Sequence, residues 1–433
     1  MPHTNAKTGL TLEQEIEIDA LSYGPYGIGR LDGKALMIPH TAPGDRITAR
    51  IVESKERYAI GELIRIVNPS PLRQTPPCPY VGRCGGCSWQ HLRYDAQLKA
   101  KQQSVEDALR RIGKLSDFDL RPIIPSANEY HYRRRIRLQV DGAKRLGFYG
   151  ASSHHLVEID ACAIADERLN SVFEPLRRWL GDVQSSVDHL ELVSGDEPHE
   201  LVVVAKTSRA FVSRDEPACE ALVNSTHGVS GLILAGRYER RFWGEPGITV
   251  NLRNDLSLSL DADVFTQVNS EGNRQMIHHL LTAGNFHGRD RVLELYCGAG
   301  NFTLPMATRV KRIVAVDGFR PAIFHGKLSA QKYNLENIDW HWSEVPQALA
   351  YFKSQRQTFS KIVLDPPRTG AKGIEADLAA LGAETIAYIS CNPTTLARDL
   401  AALTKHGYKL QTVQPMDFFP HTFHVESLAV MMR

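Results

Sequence analysis

No run of eighteen apolar residues occurs in the 433-residue chain, and its start carries no apolar core of a secretory leader. Neither a membrane span nor export is therefore expected. Net charge is also scarce. At +2 the whole-chain field is too weak to imply a polyanion partner, so any such case must rest on local patches. Internal repeats and low-complexity segments are missing as well. Seven cysteines, an odd number, in a chain without a leader disfavour a disulfide framework. Reduced thiols serving catalysis or metal binding in the cytoplasm are the expectation.

What is present describes an ordinary globular protein, with 42% apolar and 23% charged residues and length for about three domains. From residue 10 to 67, short apolar-polar runs alternate with turns at Tyr23-Gly24-Pro25-Tyr26-Gly27, Asp32-Gly33 and Ala42-Pro43-Gly44-Asp45. That pattern predicts a small β-barrel over residues 1–72. Arg46, Arg50, Lys55, Arg57 and Arg65, with Tyr58, could line one face and follow a phosphate backbone. A solvated strand face explains the same charges. Tyr23–Gly33 and the barrel pattern resemble a TRAM domain, an OB-like RNA-binding module.

A Pro-flanked, Gly-rich loop follows, Cys78-Pro79-Tyr80-Val81-Gly82-Arg83-Cys84-Gly85-Gly86-Cys87. Three thiols at C-x5-C-x2-C spacing indicate metal or cluster ligation. Cys162, in a short polar loop after Leu156–Ile159, is the natural fourth ligand. Spacing alone leaves zinc and iron–sulfur both open, because each accepts four thiolates. Cys219 and Cys297 lack such neighbours and read as packing residues. Asp95 to Ile112 has helical spacing. Residues 130 to 149 then read as a hairpin with interleaved aromatics and Arg133, Arg134, Arg135 and Arg137. Seven basic residues face two acidic ones between Arg121 and Gly147, which suits phosphate contact and base stacking. Further strand-like runs complete a mixed, mainly β central domain over residues 73–262.

The last region, residues 263–433, alternates strands with helices, as a parallel doubly wound sheet does. Arg291–Leu295 leads into Tyr296-Cys297-Gly298-Ala299-Gly300-Asn301, a turn of pattern E-x-x-C-G-x-G-N. It lacks the third Gly of a dinucleotide fingerprint, which disfavours NAD. The next strand ends at Asp317, placed to accept hydrogen bonds from ribose hydroxyls. These two features together predict S-adenosylmethionine (SAM) binding. After Lys361–Leu364 comes Asp365-Pro366-Pro367-Arg368, where the prolines hold Asp365 towards the cleft. No aromatic follows that pair, which argues against amine methylation.

Thr385–Ser390 reads as a buried strand, Asn392 as a helix N-cap and Pro393 as the first helical residue. Cys391 thus sits at the carboxyl end of a parallel strand, where open α/β sheets bind ligands. Buried cysteines serve more often as small hydrophobes. Its position, beside free N–H groups and a helix dipole that favour a thiolate, predicts a nucleophile of lowered pKa.

Together these motifs resemble the RNA (uracil-5-)-methyltransferases, and the TRAM-bearing 23S ribosomal RNA enzymes most closely. Phe265-Thr266-Gln267-Val268-Asn269, Leu396-Ala397-Arg398-Asp399-Leu400 and Phe419-Pro420-His421-Thr422 with Val425-Glu426 extend the match over nearly the whole chain. The resemblance implies a 4Fe-4S cluster on Cys78, Cys84, Cys87 and Cys162. It further implies SAM contacts at Gln267, Tyr296, Asn301, Asp317 and Asp365, Cys391 as nucleophile and Glu426 as base. The Asp95–Ile112 helix should then pack on the catalytic domain. After the third strand the family often has an acid-Asn pair near the adenine. This chain reads Trp342-Ser343-Glu344, which leaves Glu344 for that side. The expected function is C5-methylation of a uridine in 23S rRNA by a cytoplasmic monomer. A tRNA uridine methyltransferase and a non-catalytic RNA-binding relative are the alternatives.

Overall fold

The computed structural model describes residues 13–237, 239–253 and 255–433; the first twelve residues of the expected 1–72 unit lie outside them. Five strands, Glu13–Leu21, Tyr26–Leu31, Lys34–Pro39, Arg46–Ser54 and Tyr58–Asn68, close into a barrel. Alternation supplies its interior: Ile16, Ile18, Leu36, Ile38, Ile47 and Ala49 are all buried. The Asp-Gly turn adopts the mirror-image geometry such hairpins prefer, with φ of 51° at Asp32 and 79° at Gly33. Gly29 permits a strand crossing that a side chain would block, since a Cβ there would meet the Glu17 carbonyl at 2.5 Å. The barrel's basic residues are partly paired with acids: Arg46 with Glu15, Arg50 with Glu13 and Glu62, and Lys55 with Glu53.

The central region builds a seven-stranded sheet, with the predicted hairpin Arg135–Val140 and Leu146–Tyr149 inside it. Two arginines of that hairpin, Arg134 and Arg135, are largely buried, whereas Arg137 keeps 59% of its side chain exposed. Arg134 is buried and donates to the Ser194 and Thr249 carbonyls. Arg135 reaches Glu191 and the carbonyls of Ala262 and Val264, and Arg137 grips Glu191 at 2.7 Å. Glu191 has its pKa pulled down to about 2, chiefly by His189, whose Nε2 lies 3.7 Å away, and then by Arg137 and Arg135. Arg134 and Arg135 therefore tie strands to one another, and Arg137 holds Glu191 while keeping an exposed face. Cys219 and Cys297 are buried among apolar side chains.

The C-terminal sheet has eight strands, in the spatial order Ile338–Trp342, Arg312–Asp317, Arg291–Leu295, Lys361–Leu364, Thr385–Ser390, Glu426–Met432, Lys409–Met416 and Asp119–Leu120. The first five run parallel, and Glu426–Met432 inserts antiparallel to Thr385–Ser390. Asp119–Leu120 comes from far upstream and adds a short edge strand against Thr412 and Val413. Upstream of it, the helix Tyr94–Asp107 ends in one wide π turn, Ala108–Ile112. Val105, Ala108 and Leu109 pack with Leu396, Ala397 and Leu400 of the Pro393–Thr404 helix. The hairpin Gly247–Arg253 and Leu256–Asp261 shares its core with Met276, Ile277 and Leu280 of the Ser270–Ala283 helix. No helix among the described residues is long and apolar enough to cross a membrane.

Candidate active site

Cys391 emerges as the local pattern predicts. Thr385–Ser390 is buried throughout, the Asn392 side chain accepts from the Thr394 N–H at 3.0 Å, and Pro393 opens the helix. The antiparallel register decides what stands beside it. Ser390 pairs with Ser427, so the next residues outward on the two strands are Cys391 and Glu426. Nucleophile and base candidates, 35 positions apart in the chain, meet across the ends of neighbouring strands. Asp365 follows the adjacent Lys361–Leu364 strand, whose Leu364 pairs with Tyr388.

Burial governs the charges there. It raises the Asp365 carboxyl to about 7. It lifts Glu426 well above the usual carboxylate range, with Asp365 adding to the rise and Arg368 opposing it. Cys391 is pushed up to about 11, by burial first and then by Glu426 and Asp365. This corrects the expectation of a lowered thiol pKa. The helix start is present, but desolvation beside two acids outweighs it.

Arg368 is the residue whose importance local sequence did not reveal. Its charge opposes the rise at both Cys391 and Glu426, and its guanidinium lies 3.4 Å from His424 Nε2. His424 is lowered to about 4 by burial and then by Arg368, so it stays neutral near pH 7. Asn392 Nδ2 and Thr395 Oγ1 both donate to the Arg368 carbonyl. Asp399 holds the same loop by accepting from the Ala371 N–H and the Tyr388 hydroxyl, each at 2.7 Å. The Asp-Pro-Pro-Arg segment is thus anchored to the helix that Cys391 precedes.

Around the first strand end lies a second group. Tyr296 takes φ of 63°, Gly298 55° and Gly300 96°, which folds the backbone tightly against Asp317. The Asp317 carboxylate accepts from the Gly298 N–H at 2.8 Å and the Phe319 N–H at 2.7 Å, knitting the two strand ends together. Glu344 overhangs Gly318, where a Cβ would come within 2.7 Å of its Oε1. Burial raises the Tyr296 pKa, with Asp399 and Glu344 adding to the rise. Asn301 exchanges two 2.8 Å hydrogen bonds with Asn273, a partner the sequence pattern did not single out. Gln267 is half-buried in the loop that enters the Ser270–Ala283 helix. Glu294 was also missed as a site residue. It is buried, raised to about 8 chiefly by burial, bonded through one oxygen to Thr303, and left with Oε1 unpartnered.

The four predicted thiols come together. Cys78, Cys84, Cys87 and Cys162 line one cavity of about 220 Å³. Among the described residues no three side chains converge tightly enough to hold a bare metal ion. A cluster differs in needing thiolates distributed around it rather than at one point. The donor chemistry suits such a group. The Gly86 N–H donates to Cys84 Sγ at 3.4 Å, and burial raises Cys87 to about 12 with the other three thiols contributing, so a bound cation is what would hold them as thiolates.

A doubly wound sheet with its Gly-rich turn, its ring of acids and the inserted antiparallel strand defines a Rossmann-like methyltransferase domain. Comparison with known proteins narrows this further. Residues 247–433 match the tRNA (Uracil-5-)-methyltransferase family model, and residues 12–64 match the TRAM domain. The 23S rRNA (uracil(1939)-C(5))-methyltransferase RlmD of Haemophilus parainfluenzae is 32% identical, covering 96% of both chains. That of Mannheimia succiniciproducens is 33% identical over 97% of this chain and 96% of its own. An uncharacterized RNA methyltransferase of Halalkalibacterium halodurans is 30% identical over 96% of each. The Pyrococcus abyssi tRNA (uracil-54, C5)-methyltransferase, solved with S-adenosyl-L-homocysteine, shares the fold at TM-score 0.75 and 23% identity, covering 96% of this chain and 99% of its own. The chain belongs to the RNA (uracil-5-)-methyltransferase family.

Proposed function

We propose that this protein methylates C5 of a uridine in 23S rRNA, using SAM and a covalent adduct through Cys391. The observation that carries this is the juxtaposition of Cys391 and Glu426 across two strand ends. C5 of uracil is too weak a nucleophile to take a methyl group unaided. Addition of the Cys391 thiolate to C6 places an enolate across the ring, and its C5 would take the methyl group as the sulfur–methyl bond breaks and the neutral thioether leaves. Glu426 then removes the C5 proton, and the re-forming double bond expels the thiolate. Identity of 32% and 33% to the two RlmD proteins, against 23% to the tRNA enzyme over a similar span, favours rRNA over tRNA.

SAM supplies an electrophilic methyl on a positively charged sulfur. Asp317, Glu344 and Asp365 stand at or just beyond the strand ends where it would lie, with Glu294 buried beside them, and we assign Gln267, Tyr296 and Asn301 as its further contacts. A cation entering this group favours the charged forms of the buried acids and of the Cys391 thiol. The high thiol pKa of the free protein thus suits a nucleophile that becomes reactive only when its partners are assembled. We further assign Cys78, Cys84, Cys87 and Cys162 to a 4Fe-4S cluster, and place the protein in the cytoplasm as a monomer.

The direct test is Cys391→Ala, with methylation and SAM binding both measured. Methylation should vanish while SAM binding survives. Wild-type enzyme should also form a denaturant-resistant adduct with RNA containing 5-fluorouridine, whose C5 has no proton to lose. Turnover by the Ala variant would assign the nucleophile elsewhere.

A further inference from the structure

Cys391 occupies a gap in the backbone hydrogen-bonding pattern. Strand pairing ends at Ser390, which faces Ser427, and the first helical bond runs from the Leu396 N–H to the Asn392 carbonyl. The carbonyl of Cys391 belongs to neither array, and its direction is tied to that of the side chain through the residue's own dihedrals. A donor reaches it from 368 positions away. Tyr23, in the turn between the first two barrel strands, points its hydroxyl at the Cys391 carbonyl at 3.2 Å.

We propose that Tyr23 is a positioning residue for Cys391, so that the barrel completes the catalytic site as well as presenting a surface to RNA. The inference rests on the reading of Cys391 as the nucleophile. Several contacts make the reach specific. The Tyr23 ring stands edge-on to Phe423, 5.6 Å between centroids at 87°, and packs on the core of the catalytic sheet. Phe423 lies 4.2 Å from the His424 ring, two residues before Glu426. The junction is itself filled: Ala42 and Leu21 of the barrel meet Trp89, Leu92, Ala100 and Phe423 in one small apolar cluster. Burial beside Cys391 and Glu426 raises the phenol's pKa, which keeps it a donor through the working pH range.

A hydrogen bond to a main-chain carbonyl changes neither donor binding nor RNA affinity directly. It limits the directions in which the thiol can meet C6, and small misplacements of a reacting atom are expensive in rate. Tyr23→Phe keeps the ring contacts and removes only the hydroxyl. In that variant kcat should fall about tenfold, with KM for RNA and KM for SAM unchanged and the melting temperature lower by no more than about 2–3 °C, the cost of one lost hydrogen bond in a chain of this size. Iodoacetamide should alkylate Cys391 several-fold faster in the free variant than in wild type, because the peptide carrying the thiol is less constrained. The alkylation result does not depend on methyl transfer. A wild-type protein that fails to methylate would therefore sink the proposed function while leaving the Tyr23 contact testable. Wild-type kcat and alkylation in Tyr23→Phe would overturn the positioning role. So would a loss confined to KM for RNA, which would make Tyr23 an RNA contact, or one accompanied by a fall in melting temperature well beyond that of a single hydrogen bond.

Discussion

The ammonium of Lys101 lies 2.6 Å from the Asp417 carboxylate, and both side chains are wholly buried. The pair joins the Tyr94–Asp107 helix to the loop that leads to Glu426. Lys101 also donates to the Phe419 carbonyl, Gln97 accepts from the His421 N–H at 2.7 Å, and the Trp89 N–H donates to the His421 carbonyl at 2.9 Å. His421 is held at φ of 67° between these bonds. Removing one partner strands a buried charge, so Lys101→Met should cost about 3–5 kcal/mol by chemical denaturation. The double variant Lys101→Met with Asp417→Leu should recover part of that loss. A single variant as stable as wild type would show that the pair does not hold the loop.

Glu426→Gln should separate the two halves of the reaction. Cys391 can still add and the methyl can still transfer, but elimination lacks its base. Enzyme joined to RNA should then accumulate with ordinary uridine and appear as a shifted band after denaturation. Normal turnover without that band would move the base to another group, His424 being adjacent.

Asp365 should make stability pH-dependent. Its folded pKa of about 7 stands above the unfolded value of about 3.9, so burying it is penalised increasingly as pH rises through that window. Asp365→Asn removes the penalty. It should equal wild type in stability near pH 4 and exceed it by about 1–3 kcal/mol at pH 8, after discounting for the solvent the side chain still meets. The same variant should lose SAM affinity. A stability difference independent of pH would contradict the buried-acid account.

Protein purified without oxygen should be brown and carry about four iron atoms per chain, as four thiolates around a cubane require. Cys84→Ser should bleach the colour and loosen the contact of its loop with the Leu146–Tyr149 strand, where Gly85 donates to the Tyr149 carbonyl at 3.0 Å. One zinc per chain with no visible absorbance would assign the site to a single ion held after rearrangement.

What the sequence determined by itself was whatever depends on near neighbours. The strand, cap and Pro-led helix around Cys391 follow from apolar β-branched residues, an Asn and a Pro in the right order. The Asp32-Gly33 turn follows from φ preferences alone, and the Gly-rich turn before Asp317 from the need for positive φ. Tertiary structure decided the matters whose energetics depend on distant partners. Arg134 and Arg135 look like part of a phosphate-binding row until Glu191, Asp196 and the carbonyls of a separate hairpin close around them. The two-residue strand Asp119–Leu120 has no local signal, because it exists only against Thr412 and Val413. Cys391 has a helix start beside it in sequence, yet its proton affinity is set by burial next to Glu426 and Asp365. Local preference acts through a residue's own dihedrals, and pattern reading captures it. Desolvation and pairing are properties of the assembled surroundings, and only the folded chain brings those surroundings together.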